Sequence, residues 1–504
     1  MATTEKKPRS PLFSSSDEKV SEAEVFVVDR QPSTWSSKAE DVFHRLTIWL
    51  SRWGVETHGI TPVPEERRTD PRLYQIALIW FSANMNIVMF GTGAAGPAFF
   101  GLGIRSSVLT CLVVDSVTVA IPAMFAVFGP KLGTRAMVHS RFSWGYYGAI
   151  IPSILNILTN EGYLVLNAIL GGQALAGVSD HLSTSIGIVI IGIISLAVTF
   201  CGYQVLHCLV AFIVMIGVGG KSLIQVPITD PVPIPTSAIF TYGATLAANV
   251  VSWAPLSPDY GVHHRGDASD WKIFFYVYCG FLFSMTPVHM LGATFAAASH
   301  SVPAWQAGLG NGNNVGGLVA AVLEPVGGFG KFLLVMLALA TPSASAPTLY
   351  TVCTSFMTVS KVFAKIPRFL IAVLATAIAI PISIIGATRF YTTMVQILSF
   401  IGYWSAPWSA IVLTDHFLFR RTHWSTYAPL SAFDDPARLP RGYAAVAAFV
   451  VTIGVIVPCM QQTWWTGPIA RAGAGDVGML VGWFVAVGVY TGARWVEKRV
   501  WGVR

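Results

Sequence analysis

The stretch LYQIALIWFSANMNIVMFGTGAAGPAFF, from Leu73 to Phe100, is an apolar run of membrane-spanning length. It is broken in its middle by Ser82-Ala83-Asn84-Met85-Asn86 and again by Gly91-Thr92-Gly93-Ala94-Ala95-Gly96. The bilayer core holds no water to bond freed N–H and C=O groups. A broken helix therefore persists there only where those groups face a ligand, an ion or a wet cavity. Polar residues at mid-depth thus mark a binding site, and passage of a small solute across the membrane is the first reading.

Outward from this stretch, the same composition continues. The chain has 504 residues, 53% hydrophobic and 11% charged, with a mean hydropathy of +0.60, whereas an ordinary soluble domain carries roughly 25% charged residues. About 20 apolar residues span a bilayer. About twelve such runs lie near 75–99, 104–129, 147–175, 183–202, 204–224, 236–257, 273–297, 330–357, 368–387, 393–417, 443–461 and 476–496, numbered here spans 1 to 12. They predict an all-α polytopic membrane protein with a transporter domain over 73–500.

The segment 1–72 is rich in Lys, Glu, Asp, Ser and Pro and buries too little apolar surface to fold, so it is expected to be a disordered tail. Within it, Val42 to Trp53 has helical apolar spacing suited to lying on a membrane surface. The net charge of +7 follows position rather than nucleic acid. Lys131, Arg135, Arg141, Arg265, Lys272, Lys361, Arg420 and Arg421 fall in alternate loops, while the other loops hold little beyond Arg105, Lys221, Arg389 and Arg471. By the positive-inside rule, both termini are expected in the cytoplasm. The six cysteines have no C-x-x-C spacing and read as buried hydrophobes. No cofactor or metal site is expected.

Two further spans carry breaking residues. In span 8, Thr341-Pro342-Ser343-Ala344-Ser345-Ala346-Pro347-Thr348 predicts an interruption. In span 6, Asn249, Ser252, Trp253, Pro255 and Pro258 precede Asp259-Tyr260. If spans 1–5 and 6–10 are inverted halves, the broken first span of each faces the other at mid-membrane. The Gly308 to Gly317 run lacks Gly-Lys-Ser/Thr and reads as a flexible external loop, with a short helix after it from Leu318 to Pro325.

Several collinear runs resemble the nucleobase-cation-symport-1 family, in its fungal purine-cytosine permease branch. They are WFSANMN from Trp80, FGLG from Phe100, GPKLGTR from Gly129, SRFSWGYYG from Ser140, LNAILGGQ from Leu166 and FIGYWSA from Phe400, followed by HFLFRR from His416, LPRG from Leu439 and WTGPIA from Trp465. The resemblance implies a LeuT-like core of two five-helix inverted repeats over about 73–420 and two peripheral helices over about 443–496. It implies alternating access, proton-coupled uptake of cytosine and purines at the plasma membrane, and a substrate site in spans 1, 3, 6 and 8.

The resemblance carries over residue by residue. Asn167 matches a substrate-contacting asparagine, and its amide offers both a donor and an acceptor to a heterocycle edge. Gln173 matches too, but on another face of the helix. Tyr163 stands where the family often has tryptophan, one turn before Asn167, and Trp253 is a second stacking candidate. Asn86 lies in the span 1 break. Three departures bear on the substrate. Met89 replaces a serine of the branch. In span 8, Ala344, Ser345 and Thr348 surround Pro347 where the branch places asparagines, leaving single hydroxyls at Ser345 and Thr348. Val210 stands where the family has an acid. Lost hydrogen-bonding partners change discrimination strongly.

Acids inside a membrane are costly and often functional. Glu161, six residues before Asn167 on one helix, and Asp259, at the end of span 6, are the ion-coupling candidates; Asp115 and Asp415 are further intramembrane acids. The coupling ion is expected to be a proton, with sodium bound by unwound-helix carbonyls as the alternative. Three function classes remain at this stage: a secondary transporter of a small nitrogen heterocycle or another metabolite, a membrane enzyme, and a non-transporting sensor. The adjacent pair His263-His264 has no third ligand in reach by sequence, which weakens the enzyme reading.

Overall fold

The computed structural model describes residues 60–201, 209–228, 230, 235–427 and 432–501. The expectations for a disordered tail and for the surface segment at 42–53 fall on residues outside this set. Each apolar run becomes helical. Among the described residues, seven helices are long and apolar enough to cross a membrane alone: Ile104–Leu132, Ile150–Ala176, Asp270–Ser301, Val315–Val359, Arg368–Ala387, Phe390–Phe419 and Gly478–Trp501. With the bent pair Tyr74–Asn84 and Ile87–Ala98 counted as one span, the number reaches eight. Spans 4, 5 and 11 are the shorter apolar helices Thr184–Thr199, Leu209–Gln225 and Tyr443–Cys459, and span 6 begins as Thr236–Val251.

Contacts between loops gather the helix ends into two sets. On one face, Lys131 at the end of span 2 pairs with Asp270 at the start of span 7 at 2.9 Å. There Arg141, before span 3, bonds Asp434 after span 10 at 3.1 Å and the Thr358 carbonyl at the end of span 8 at 3.1 Å. Lys361 pairs with Asp434 at 3.0 Å, and Arg420 donates to the Phe142 carbonyl at 2.7 Å. On the opposite face, Gln173 at the end of span 3 meets Asn313 of the 7–8 loop at 2.8 Å, and Asn313 meets the Tyr391 N–H of span 10 at 3.3 Å. The two sets of loops are those separated by charge in the sequence. Arg265 pairs with Asp267.

Span 1 is bent by 54° at its break, and one side chain satisfies both new ends. Asn86 Oδ1 accepts from the N–H groups of Val88 and Met89 at 2.8 and 3.1 Å, and its Nδ2 donates to the Ala83 carbonyl at 2.6 Å. It is thus an N-cap that also ties down the preceding helix. Span 6 breaks as its residues suggest, passing from Thr236–Val251 through turns to the 3-10 segment Ser257–Tyr260.

Span 8 differs from expectation. It is one uninterrupted helix, Gly327–Val359, with Pro342 and Pro347 inside it. Hydroxyls explain why it holds. Pro342 supplies no N–H to the Ala338 carbonyl, and Thr341 Oγ1 donates to that oxygen at 2.8 Å instead. Ser345, Thr348 and Thr351 likewise bond carbonyls one turn back, which is how membrane helices tolerate proline.

Spans 1, 2, 3 and 4 pack against spans 6, 7, 8 and 9 respectively, as two inverted halves require. Small residues bring span 1 close to span 7, and span 3 close to span 8. A Cβ at Gly93 would lie 1.9 Å from the His289 carbonyl, one at Gly292 would lie 1.9 Å from the Phe90 carbonyl, and one at Gly171 would lie 2.2 Å from Thr341 Oγ1. The Gly-Asn loop is a series of tight turns. Gly310, Asn311 and Gly312 turn through positive φ, and the helix after it starts earlier than expected, at Val315–Leu323.

Candidate functional site

A cleft of about 490 Å³, its open mouth included, lies where the breaks of spans 1 and 6 meet span 8. Its aromatic walls are Trp80, Trp253 and Tyr260. Trp80 is held by a stack on Phe281 at 4.7 Å and by edge contacts with Trp253 at 5.5 Å and Tyr260 at 5.0 Å. Small groups from span 8, Ala340, Ser343, Ala344 and Pro347, form the facing wall, and Ser82 and Asn86 add polarity from span 1.

Three buried polar atoms on these lining residues have no hydrogen-bond partner: Trp80 Nε1, Trp253 Nε1 and Ser82 Oγ. Pro347 also withholds an N–H from the Ser343 carbonyl. Flat aromatic walls with a few unpaired donors suit a small, planar, polar ring.

Next to Trp253, away from the charged face, a hydrogen-bonded layer joins spans 1, 3 and 6. Tyr163 Oη donates to Asn249 Oδ1 at 2.8 Å and meets Ser252 Oγ at 2.8 Å, and its ring lies 6.3 Å from that of Trp253. Asn249 Nδ2 approaches Met89 Sδ at 3.1 Å. Beyond Asn249, His289 Nε2 is 3.3 Å from the same Nδ2, and His289 Nδ1 is 2.9 Å from Asp115 Oδ2. Both side chains of this last pair are fully buried.

Of the residues singled out by sequence, Asn86 and Trp253 line the cleft, and Tyr163 and Met89 hold Asn249 beside it. Asn167 lies one turn past Tyr163 on span 3, buried, with its Oδ1 unpartnered. Gln173 is engaged elsewhere: its Oε1 accepts from Val315 and Gly316 N–H groups at 3.0 and 3.4 Å, fixing the helix after the Gly-Asn loop. The hydroxyls of Ser345 and Thr348 bond their own helix, and Ser343 and Ala344 face the cleft in their place. Glu161 has a buried, unpartnered Oε1. Asp259 sits half-buried in the 3-10 segment after the break. Asp415 pairs with Arg420 at 2.6 Å and accepts from Tyr490 at 3.0 Å.

Sequence reasoning missed His289 and the pairing role of Asn249. The signal was depth. Asp115 lies eleven residues after Ile104 (115 − 104) and His289 nine before Ala298 (298 − 289), each roughly 15 Å from the same face at 1.5 Å per residue.

Comparison with known proteins follows the same lines. The model of a family described as permease for cytosine/purines, uracil, thiamine, allantoin matches residues 62–237 and 227–486. A purine-cytosine permease of Emericella nidulans, fcyB, is 32% identical over 485 residues, covering 94% of each chain. A vitamin B6 transporter of Saccharomyces cerevisiae, TPN1, is 25% identical over 522 residues, covering 90% of each. Mhp1, a nucleobase-cation-symport-1 family transporter solved in a closed conformation with bromovinylhydantoin bound, superposes with a TM-score of 0.65 at 17% identity. That superposition covers 88% of this chain and 96% of Mhp1.

Proposed function

The chain belongs to the nucleobase-cation-symport-1 permeases for cytosine/purines, uracil, thiamine and allantoin, and on that premise we propose that it is a proton-coupled secondary transporter importing a small nitrogen heterocycle by alternating access. Family membership sets the membrane-enzyme reading aside. The observation that carries the substrate class is the aromatic cleft between two broken helices, with unpaired donors on Trp80, Trp253 and Ser82. Two stacking faces and single hydrogen bonds hold a planar ring from its face and its edge.

The plasma membrane is the proposed location, with the arginine- and lysine-rich face and both termini toward the cytoplasm. The partners are the substrate and the bilayer; nucleic acid is not among them. Asn167 is assigned to the substrate path because its acceptor is buried and unpaired one turn beyond Tyr163.

A second substrate reading rests on span 8. Cleft-facing Ser343 and Ala344 offer no amide for two-point pairing with a nucleobase edge, so a vitamin or other specialised heterocycle fits the same walls. The test is uptake of labelled cytosine, adenine, hypoxanthine, uracil and pyridoxine into cells lacking their own carriers, at pH 5 and pH 7, with and without sodium. Saturable uptake of one of these that rises at acid pH, ignores sodium and is lost in Asn167→Ala is expected. Sodium dependence would replace the proton. No uptake of any probe despite surface expression would favour the sensor.

A further inference from the structure

Asp115 of span 2 and His289 of span 7 form a fully buried pair, Oδ2 to Nδ1 at 2.9 Å. A histidine and a carboxylate inside a membrane are expensive, and such residues mark ion paths. Nothing in the substrate cleft requires this pair: neither residue lines it. Yet a chain of three contacts joins the pair to it: His289 Nε2 lies 3.3 Å from Asn249 Nδ2, Asn249 bonds Tyr163, and Tyr163 packs on cleft-lining Trp253.

The hydrogen bonds fix the proton positions. Asn249 Oδ1 accepts from Tyr163, so its Nδ2 is the group facing His289. An amide N–H can only donate, so Nε2 must be the bare nitrogen and Nδ1–H must donate to the Asp115 carboxylate. In that state the pair carries one net negative charge, and Asp115 Oδ1 has no partner.

On the transport reading above, we propose that the Asp115–His289 pair is the site that takes up the coupled proton, and that Asn249 passes its occupancy to the substrate cleft. One proton arrives on Nε2 of His289 and no electrons move. The product is an imidazolium beside a carboxylate, net neutral, which is less costly to carry through a rocking motion than a lone carboxylate. The new Nε2–H then opposes the Asn249 N–H, two donors facing each other. Asn249 must rotate its amide to present Oδ1, which breaks the Nδ2 contact with Met89 and turns Nδ2–H toward Tyr163, whose Oη changes from donor to acceptor. The re-paired Tyr163 hydroxyl shifts the ring that packs on Trp253, and substrate bound against Trp253 favours the loaded state by the same coupling. The proton leaves from Nε2 once the pair is exposed to the other side.

The ionisable groups facing the pair are few. Cys111, one turn before Asp115, and Tyr242 of span 6 contact each other at 3.1 Å, and Tyr242 Oη donates to the Gly93 carbonyl at 2.8 Å. Tyr391 of span 10 lies near Tyr242. Tyr278 of span 7 donates to the Ser116 carbonyl at 2.8 Å. Span 1 brings only Tyr74, at its start; span 5 brings Lys221; Arg105 sits at the start of span 2 and His300 past the end of span 7. Lys131, at the end of span 2, is paired with Asp270 at 2.9 Å. None of these is a second carboxylate or imidazole touching the pair.

The experiment uses full-length protein in lipid vesicles and two readouts. First, infrared difference spectra between pH 8 and pH 5, without substrate, are taken for wild type and for Glu161→Gln, each minus the same protein carrying His289→Gln, so that the exposed His181, His263, His300 and His423 cancel, and both subtractions are expected to leave the protonation bands of one buried imidazole. Second, labelled cytosine, or whichever probe the uptake screen returns, is driven by an inside-alkaline gradient. His289→Gln and Asp115→Asn are expected to lose gradient-driven accumulation at least ten-fold while retaining exchange of preloaded substrate, which also shows that they fold. Undiminished accumulation in His289→Gln, or its loss only in Glu161→Gln, overturns the proposal. If wild type transports no probe, the transport reading fails by itself and the infrared arm still decides the site: a titration unchanged in His289→Gln removes it.

Discussion

Trp253 shows what a single position contributes. Its ring closes the cleft against Trp80 and Tyr163, and its N–H has no partner. Replacing it with Leu is expected to raise the KM of the transported substrate about ten-fold, since a stacking contact is worth about 0.5–1.5 kcal/mol beyond area; Phe should recover most of the loss. Ser82→Ala should cost about 1 kcal/mol of binding, read as a several-fold rise in KM at unchanged surface level. Gln173 is the contrasting case, because its amide is occupied by Asn313, Val315 and Gly316. Gln173→Ala should lower thermal stability in detergent by about 1–3 kcal/mol and leave KM unchanged; a raised KM at normal stability would return it to the substrate path. The residue types at this site were legible: Asn86, Trp253 and Tyr163 stand at or beside it. What one chain in isolation did not reveal is which polar groups are already occupied, since Ser345, Thr348 and Gln173 look as available in sequence as Asn167.

At the scale of elements, breaks are governed by who satisfies the backbone. Span 1 opens because Asn86 caps one helix and ties the other. Span 8, with two prolines, stays closed because Thr341 replaces the missing donor to Ala338. Prolines alone therefore predicted an interruption wrongly, and the hydroxyl beside them was the deciding residue. Thr341→Val keeps the shape and removes that donor, so it should cost about 1 kcal/mol, visible as a lower unfolding temperature. Close packing between spans 1 and 7 is stricter. An alanine at Gly292 would push its Cβ to 1.9 Å from the Phe90 carbonyl, where neither backbone can yield without shifting a helix. Gly292→Ala is expected to destabilise by at least about 1–3 kcal/mol and to depress transport with it. An unchanged unfolding temperature would mean that the two spans are not in contact as described.

For the molecule as a whole, two faces with different charge enclose one helical bundle, and that division gives a direct test of orientation. Asp180 lies exposed in the 3–4 loop and Asp267 exposed in the 6–7 loop. In a background without reactive cysteines, a membrane-impermeant maleimide should label Asp180→Cys in intact cells and should label Asp267→Cys only after permeabilisation; the reverse pattern would invert the proposed topology. The sequence by itself determined the membrane as solvent, the all-helical polytopic fold and the breaks in spans 1 and 6. Each of these follows from local composition, because a bilayer demands about 20 apolar residues per crossing and admits polar residues only with a purpose. Tertiary structure decided which polar groups meet. Asp115 and His289 stand 174 positions apart, and only the antiparallel packing of spans 2 and 7 at equal depth joins them. Hydrogen bonding is a matter of ångströms between groups distant along the chain, and a linear pattern records their chemistry without recording their distance.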